Sequence, residues 1–181
     1  MLKLKKTVFA ILLLSLYSCG FQVIYKEQKN NPDASYVDEL AAIRIKKDRT
    51  RLSQELKNNL YDLLNPDYVK AEPKYFLSFT VLKSSSPTFI TITGASGRNR
   101  VTLDVAYELK DLESGETIST GTTSVNDNYD VTEKRYGTYV AEEYIQDNLT
   151  KIAAQNLRNS LVNDFIELHK KLSAAKGTTK K

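Results

Sequence analysis

A single cysteine among 181 residues, and its position, constrain what this chain can fold into more than any other feature. Cys19 closes an apolar run, residues 8–16, that Lys3, Lys5 and Lys6 precede. With no second thiol there is no intramolecular disulfide, so whatever follows Cys19 has to be held together by its own core. Basic start, apolar stretch and small residue make the layout of a secretory signal peptide. Because the residue after the cut is the cysteine of Leu16-Tyr17-Ser18-Cys19, this is the pattern of a lipoprotein signal, whose thiol is acylated before cleavage. Tyr17 is bulkier than is usual at its position.

The competing reading is an uncleaved anchor. Residues 8–16 cover only about 14 Å as a helix, roughly half the hydrocarbon thickness of a bilayer. Extension to Tyr25 brings in Cys19, Gly20 and Gln22. A buried core thiol would leave the apolar run without a purpose. Acylation is therefore the expectation, and several acyl chains hold far more firmly than one. Gly20 stands where an aspartate often retains lipoproteins in the inner membrane, so the expected location is the outer membrane, lipid-anchored on its periplasmic side.

Cleavage before Cys19 leaves 163 residues, the size of one domain with a real core. The expected organisation is a signal peptide over 1–18, one domain over 19–172 and a disordered basic tail over 173–181. The formal charge of +4 shrinks to +1 once Lys3, Lys5 and Lys6 are removed, and three further lysines (Lys176, Lys180 and Lys181) lie in the tail. The high pI is thus no evidence for nucleic acid, and no nucleic-acid partner is expected. Tyrosine is abundant, 11 residues with no tryptophan, which suits surfaces apolar in body and wet at the tip.

Taken in order, residues 21–25 read as a short strand or a tether, 26–32 as a polar loop, and 40–45 as a strand with Ile43 and Ile45 on one face. Asp48 or Thr50 can cap a helix to Leu64, where Leu52, Leu56, Leu60, Leu63 and Leu64 make one stripe and Asn65-Pro66 stops it. Arg49, Arg51 and Lys57 read as its solvated face. Residues 75–82 make a strand that Ser84-Ser85-Ser86-Pro87 breaks, and 88–93 a second, ending in the turn Gly94-x-x-Gly97. A third runs over 100–110 with Val101, Leu103, Val105, Tyr107 and Leu109 on one face. Residues 111–116 form a hairpin loop in which Gly115 supplies a positive φ. The return strand, 116–125, is polar enough for a sheet edge, and a loop surrounds Asn126. A long helix over 138–172 buries Val140, Tyr144, Ile145, Leu149, Ile152, Leu157, Leu161, Phe165, Leu168 and Leu172. The fold class is α+β: a two-layer sandwich of a mainly antiparallel, four- to five-stranded sheet with two helices packed on one face.

No catalytic constellation emerges, and no cofactor or metal is expected. The one histidine, His169, has no ligand or triad partners at useful spacing and reads as a solvated surface residue. Gly94-x-x-Gly97 lacks the Gly-Lys-Ser/Thr of a phosphate loop. Asn126-x-Asn128-x-Asp130 lacks the glycine and distal glutamate of a calcium loop. Glu142 and Glu143, adjacent on a helix, point in different directions. One basic group stands out: Arg98 and Arg100 at a hairpin mouth, Lys134 and Arg135 before the long helix. Guanidinium and ammonium groups suit the phosphates of an anionic lipid.

Several short motifs, in this order, resemble one family. Cys19-Gly20-Phe21-x-x-x-Tyr25 after the signal, Leu56-Lys57-Asn58-Asn59-Leu60 on an early helix and Tyr75-x-Leu77 opening a strand are similar to the lipopolysaccharide-assembly lipoproteins, LptE, of the alphaproteobacterial type. So are Tyr107-x-Leu109-x-Asp111-x-x-Ser114-Gly115 and Tyr136-x-x-Tyr139-x-Ala141-Glu142 with Ala153-x-x-x-Leu157. Val23-Ile24 and Lys57 depart from the family's usual Pro-Leu and arginine. The resemblance implies a non-enzymatic plug and assembly partner of the lipopolysaccharide-translocating outer-membrane barrel (LptD type). It also implies binding of lipopolysaccharide, with Arg98, Arg100, Lys134 and Arg135 as the residues able to contact it. An auxiliary lipoprotein of an ABC-type lipid transporter is the alternative with the same anchor and α+β plan.

Overall fold

The computed structural model describes residues 35–90, 92 and 96–178. Cys19, the signal peptide and the strand or tether over 21–25 lie outside the described residues, as do Gly94 and residues 179–181. The described elements are α1 (Ser35–Ala41), β1 (Ile43–Ile45), α2 (Arg51–Leu64), β2 (Tyr75–Ile90), β3 (Ser96–Asp111), β4 (Thr117–Asp130) and α3 (Arg135–Thr178). The strands form one sheet in the order β1-β2-β3-β4. β1 joins β2 in parallel through Ile43↔Tyr75 to Ile45↔Leu77, with α2 in the crossover as parallel pairing requires. The other two pairings are antiparallel. The architecture is the expected α+β sandwich, with three helices in place of two.

Thr50, not Asp48, caps α2, its side chain accepting from the Ser53 amide. Leu56, Leu60 and Leu64 of the stripe are buried and Leu52 and Leu63 partly so. Val101, Leu103, Val105, Tyr107 and Leu109 are all buried and meet Leu149, Ala153, Leu157, Leu161 and Phe165 of α3 in one core. In the β3–β4 turn Gly115 has φ +72°, and Asp111 Oδ1 accepts from the Glu113 and Ser114 amides.

Several sequence expectations differ from the structure. Ser84 to Pro87 do not break a strand: β2 runs from Tyr75 to Ile90 and pairs with β3 throughout, with register shifts only after Pro87. Leu77 offers its carbonyl to Lys46 of the segment beyond β1, so odd-numbered residues of β2 turn their backbone groups away from β3. Pro87 therefore lacks a donor only on the side turned away from β3, where no strand lies beside it among the described residues and proline is tolerated. Residues 126–130 are strand, not loop, because Asp127 to Asp130 continue the ladder opposite Val101 to Arg98. Residues 35–41 form a short helix, so the strand expected over 40–45 shrinks to three residues. On α3, Val140, Tyr144, Ile152 and Leu172 are exposed, not buried. The backbone of α3 continues to Thr178, through most of the segment expected to be tail.

Candidate functional site: a basic rim beside an apolar hairpin end

The β-register brings the basic candidates to one end of the sheet. Arg98 stands opposite Asp130 and Arg100 opposite Asn128, and the ladder closes where the Val131 amide donates to the Gly97 carbonyl at 3.1 Å. Lys134 and Arg135 follow three and four residues later, at the start of α3. All four side chains are exposed. Even-numbered residues of β3 point away from the buried odd-numbered set, so Arg98 and Arg100 project on the open face of the sheet. Arg98 Nε donates to Asp130 Oδ1 at 2.7 Å and Arg100 Nε to Asn128 Oδ1 at 3.3 Å. The aspartate stabilises the charged guanidinium and pushes the Arg98 pKa up.

The loop carrying Lys134 and Arg135 is fixed by two threonines. The Thr132 amide donates to Thr138 Oγ1 at 3.0 Å, Thr138 Oγ1 donates back to the Thr132 carbonyl at 3.2 Å, and Thr132 Oγ1 donates to the Lys134 carbonyl at 3.0 Å. A β-carbon on Gly137 would come within 3.0 Å of Thr132 Oγ1. The first turn of α3 has no acidic residue. Cations at the positive end of a helix dipole are unfavourable, so Lys134 and Arg135 do not stand there for the sake of the helix. They add to its positive potential.

A hydrogen-bonded chain ties this rim to the body. Asn99 Nδ2 donates to the Tyr129 hydroxyl at 3.2 Å, which donates to Glu142 Oε2 at 3.2 Å. Lys83 Nζ donates to Glu142 Oε1 at 2.7 Å and to Gln146 Oε1 at 2.9 Å. Lys83, chiefly through that bond, holds the Glu142 carboxyl below its ordinary range. Glu143 turns the other way, to Arg51 at 3.0 Å. Arg51 is thus part of an inter-helix pair and not merely a solvated face, although its side chain remains largely exposed.

Sequence reasoning missed the apolar companion of the rim. Phe89 and Ile90 at the end of β2 are each 60% exposed, and Ile92 is fully exposed. Phe89 pairs with Arg98, and the Thr88 hydroxyl donates to the Arg98 carbonyl at 3.2 Å. The Phe-Ile-x-Ile run is the available signal, but read as part of a separate strand over 88–93 it carries no hint of exposure. His169 also departs from its solvated reading. Its Nε2 lies 2.7 Å from Glu39 Oε1, and its ring meets Tyr36 edge-on at 5.5 Å, fastening α1 to the far part of α3. Among the described residues, no group of three or more His, Cys, Asp or Glu side chains is placed to hold a metal ion.

No protein-family model and no curated protein sequence matches the chain. Solved structures do resemble it. A protein of Caulobacter crescentus CB15 classed as a candidate lipoprotein superposes with a TM-score of 0.60 at 20% identity, covering 72% of this chain and 95% of that one. The rare lipoprotein B of Shewanella oneidensis gives a TM-score of 0.55 at 14% identity, covering 70% and 96%. At such identities the likeness is one of fold: this chain has an architecture also found in lipoproteins.

Proposed function

We propose that this chain is an outer-membrane lipoprotein, held by acylated Cys19 on the periplasmic side, that plugs and helps assemble a lipopolysaccharide-translocating barrel of the LptD type. In this reading it binds lipopolysaccharide and catalyses nothing. The observation that carries the reading is the exposed Phe89, Ile90 and Ile92 at the end of the sheet that also holds Arg98, the register partner of Phe89, and Arg100, with Lys134 and Arg135 following β4 at the same end. Guanidinium and ammonium groups match phosphates, and an apolar end next to them suits an amphiphile whose phosphates adjoin its acyl chains. The open face offers Thr80, Thr120, Thr122, Ser124 and Asn126, which fits the polar lumen of a large barrel. The fold shared with lipoproteins and the order of the family-like motifs support the same reading.

Photo-crosslinking from positions 136 and 144, on the exposed face of α3, followed by detergent extraction and identification of the adduct, tests it. Capture of an outer-membrane barrel is expected. Capture of an ABC-transporter subunit instead would replace this reading with the transporter-auxiliary one.

A further inference from the structure

The lengths of β3 and α3 do not match. Arg98 and Asp111 mark the two ends of the β3 ladders, thirteen residues or about 43 Å apart. α3 starts at the Arg98 end and reaches the other at Phe165, whose ring centroid lies 4.9 Å from that of Tyr75, the register partner of Asp111. The helix does not stop there. It continues to Thr178, thirteen further residues or about 20 Å, past the end of the sheet.

This extension is basic. Five lysines (Lys170, Lys171, Lys176, Lys180 and Lys181) and no acidic residue follow Glu167 in the sequence. Lys170 and Lys171 are exposed, and neither forms an ion pair among the described residues. A helix dipole favours cations within its last turn. That accounts for Lys176 but not for Lys170 and Lys171, about two turns before Thr178. The apolar stripe also outlasts the body. Leu161 and Phe165 are fully buried and Leu168 partly so, whereas Leu172, next at the same spacing, is 53% exposed. Lysines around an exposed apolar position give the composition of a helix that rests on an anionic lipid surface.

The start of the domain lies beside this extension. Tyr36 and Glu39 of α1 both contact His169, so the chain that follows Cys19 joins the domain next to Lys170 and Lys171. Sixteen residue steps separate Cys19 from Ser35 and span at most about 55 Å. An acylated Cys19 keeps the extension at a high effective concentration near the headgroups, where even a weak attraction suffices. We infer that α3 beyond Phe165 is a docking surface for anionic lipid headgroups, those of the membrane that holds Cys19, with Lys170 and Lys171 as its charges. This rests on the Cys19 anchor of the proposed reading and on neither the barrel nor the basic rim, which stands at the other end of the sheet.

The full chain reconstituted into phosphatidylcholine vesicles, with or without phosphatidylglycerol, tests the inference. An environment-sensitive fluorophore is installed at position 172 or, as a reference at the opposite end of α3, at position 136. The expected result is a blue shift at 172 that requires phosphatidylglycerol and is lost at high salt, with no such shift at 136. Lys170→Glu with Lys171→Glu abolishes it while the thermal melt stays in place, and Lys170→Gln with Lys171→Gln weakens it. Emission at 172 that ignores lipid charge overturns the inference. So does a shift that both double variants retain, or one that appears only when a partner protein is added. The intact mass of the reconstituted chain reports acylation of Cys19 separately, so failure of the anchor is distinguishable from failure of the headgroup contact.

Discussion

Gly121 on β4 lies directly against the ring of Tyr107 on β3: a β-carbon built there would meet Tyr107 Cε1 at 2.6 Å and its hydroxyl at 2.7 Å. The two residues are register partners, and the missing side chain of one makes room for the phenol of the other. That phenol crosses to α3, where Asp164 Oδ2 accepts from the Tyr107 hydroxyl at 2.9 Å and from Ser119 Oγ at 2.6 Å. Gly121→Ala forces the ring off this position. The expected cost is about 1–3 kcal/mol, read as a loss of several degrees in Tm, with wild-type stability counting against the contact.

Burial, with the Asp164 carboxylate adding to it, pushes the Tyr107 pKa up to about 12. The unfolded chain loses this proton first, near the ordinary value of 10.0, so the contribution is whole below that pH and is lost as pH rises toward 12. Tyr75, raised in the same direction, shares the alkaline decline. Denaturant melts between pH 9 and about 12 should show stability falling, and Tyr107→Phe should make the fall shallower.

Glu142 gives the acid counterpart. Its carboxyl is lowered by Lys83, so its contribution is present above the ordinary carboxylate value and is lost as pH falls through the lowered one. Glu142→Gln should cost about 1 kcal/mol at neutral pH and flatten the acid side of the stability profile. An acid profile identical to wild type would mean that the Lys83 pair contributes nothing.

Replacing Phe165, fully buried and tilted against Tyr75 at 4.9 Å between ring centroids, by alanine should remove about 3–5 kcal/mol. Leu172→Ala, seven residues on and exposed, should change stability by no more than about 0.5 kcal/mol. Chemical denaturation of the two variants side by side measures the difference.

Charge reversal at the rim tests the binding assignment. Arg100→Glu and Lys134→Glu should each weaken lipopolysaccharide binding about tenfold and leave the melt unchanged. Arg98→Glu should weaken binding as well, but it also sets a carboxylate against Asp130, so its melting temperature has to be read in parallel. Unchanged affinity in all three removes the rim from the site.

The fold was legible wherever one face of an element is buried along its whole length. Leu56, Leu60 and Leu64 on α2 and the alternation from Val101 to Leu109 on β3 are such places, because burial imposes a period that composition then displays. Legibility failed where a neighbour supplies the structure. Ser84 to Pro87 have no apolar pattern, yet pairing with Thr102 to Asn99 keeps them extended. The seven residues of α1 are too few to stand alone and rest on Leu40 in the core and on the Glu39–His169 contact. Val140 and Tyr144 stand on a different side of α3 from Ile145, Gln146 and Leu149, which face the core at the same height, so apolar character alone does not mark burial there. For the site, charge and loop position picked out the four basic residues. That Arg98 would stand across from Asp130 and beside Phe89 depended on register, which one sequence does not display.

The three-residue parallel attachment of β1 has a mechanical consequence. A load applied to the chain ahead of Ser35 reaches the sheet first through Ile43, Arg44 and Ile45, whereas β2, β3 and β4 grip one another along much longer ladders. Under tension the domain should give way at this short seam, shedding its first elements while the three-stranded meander and α3 stay joined.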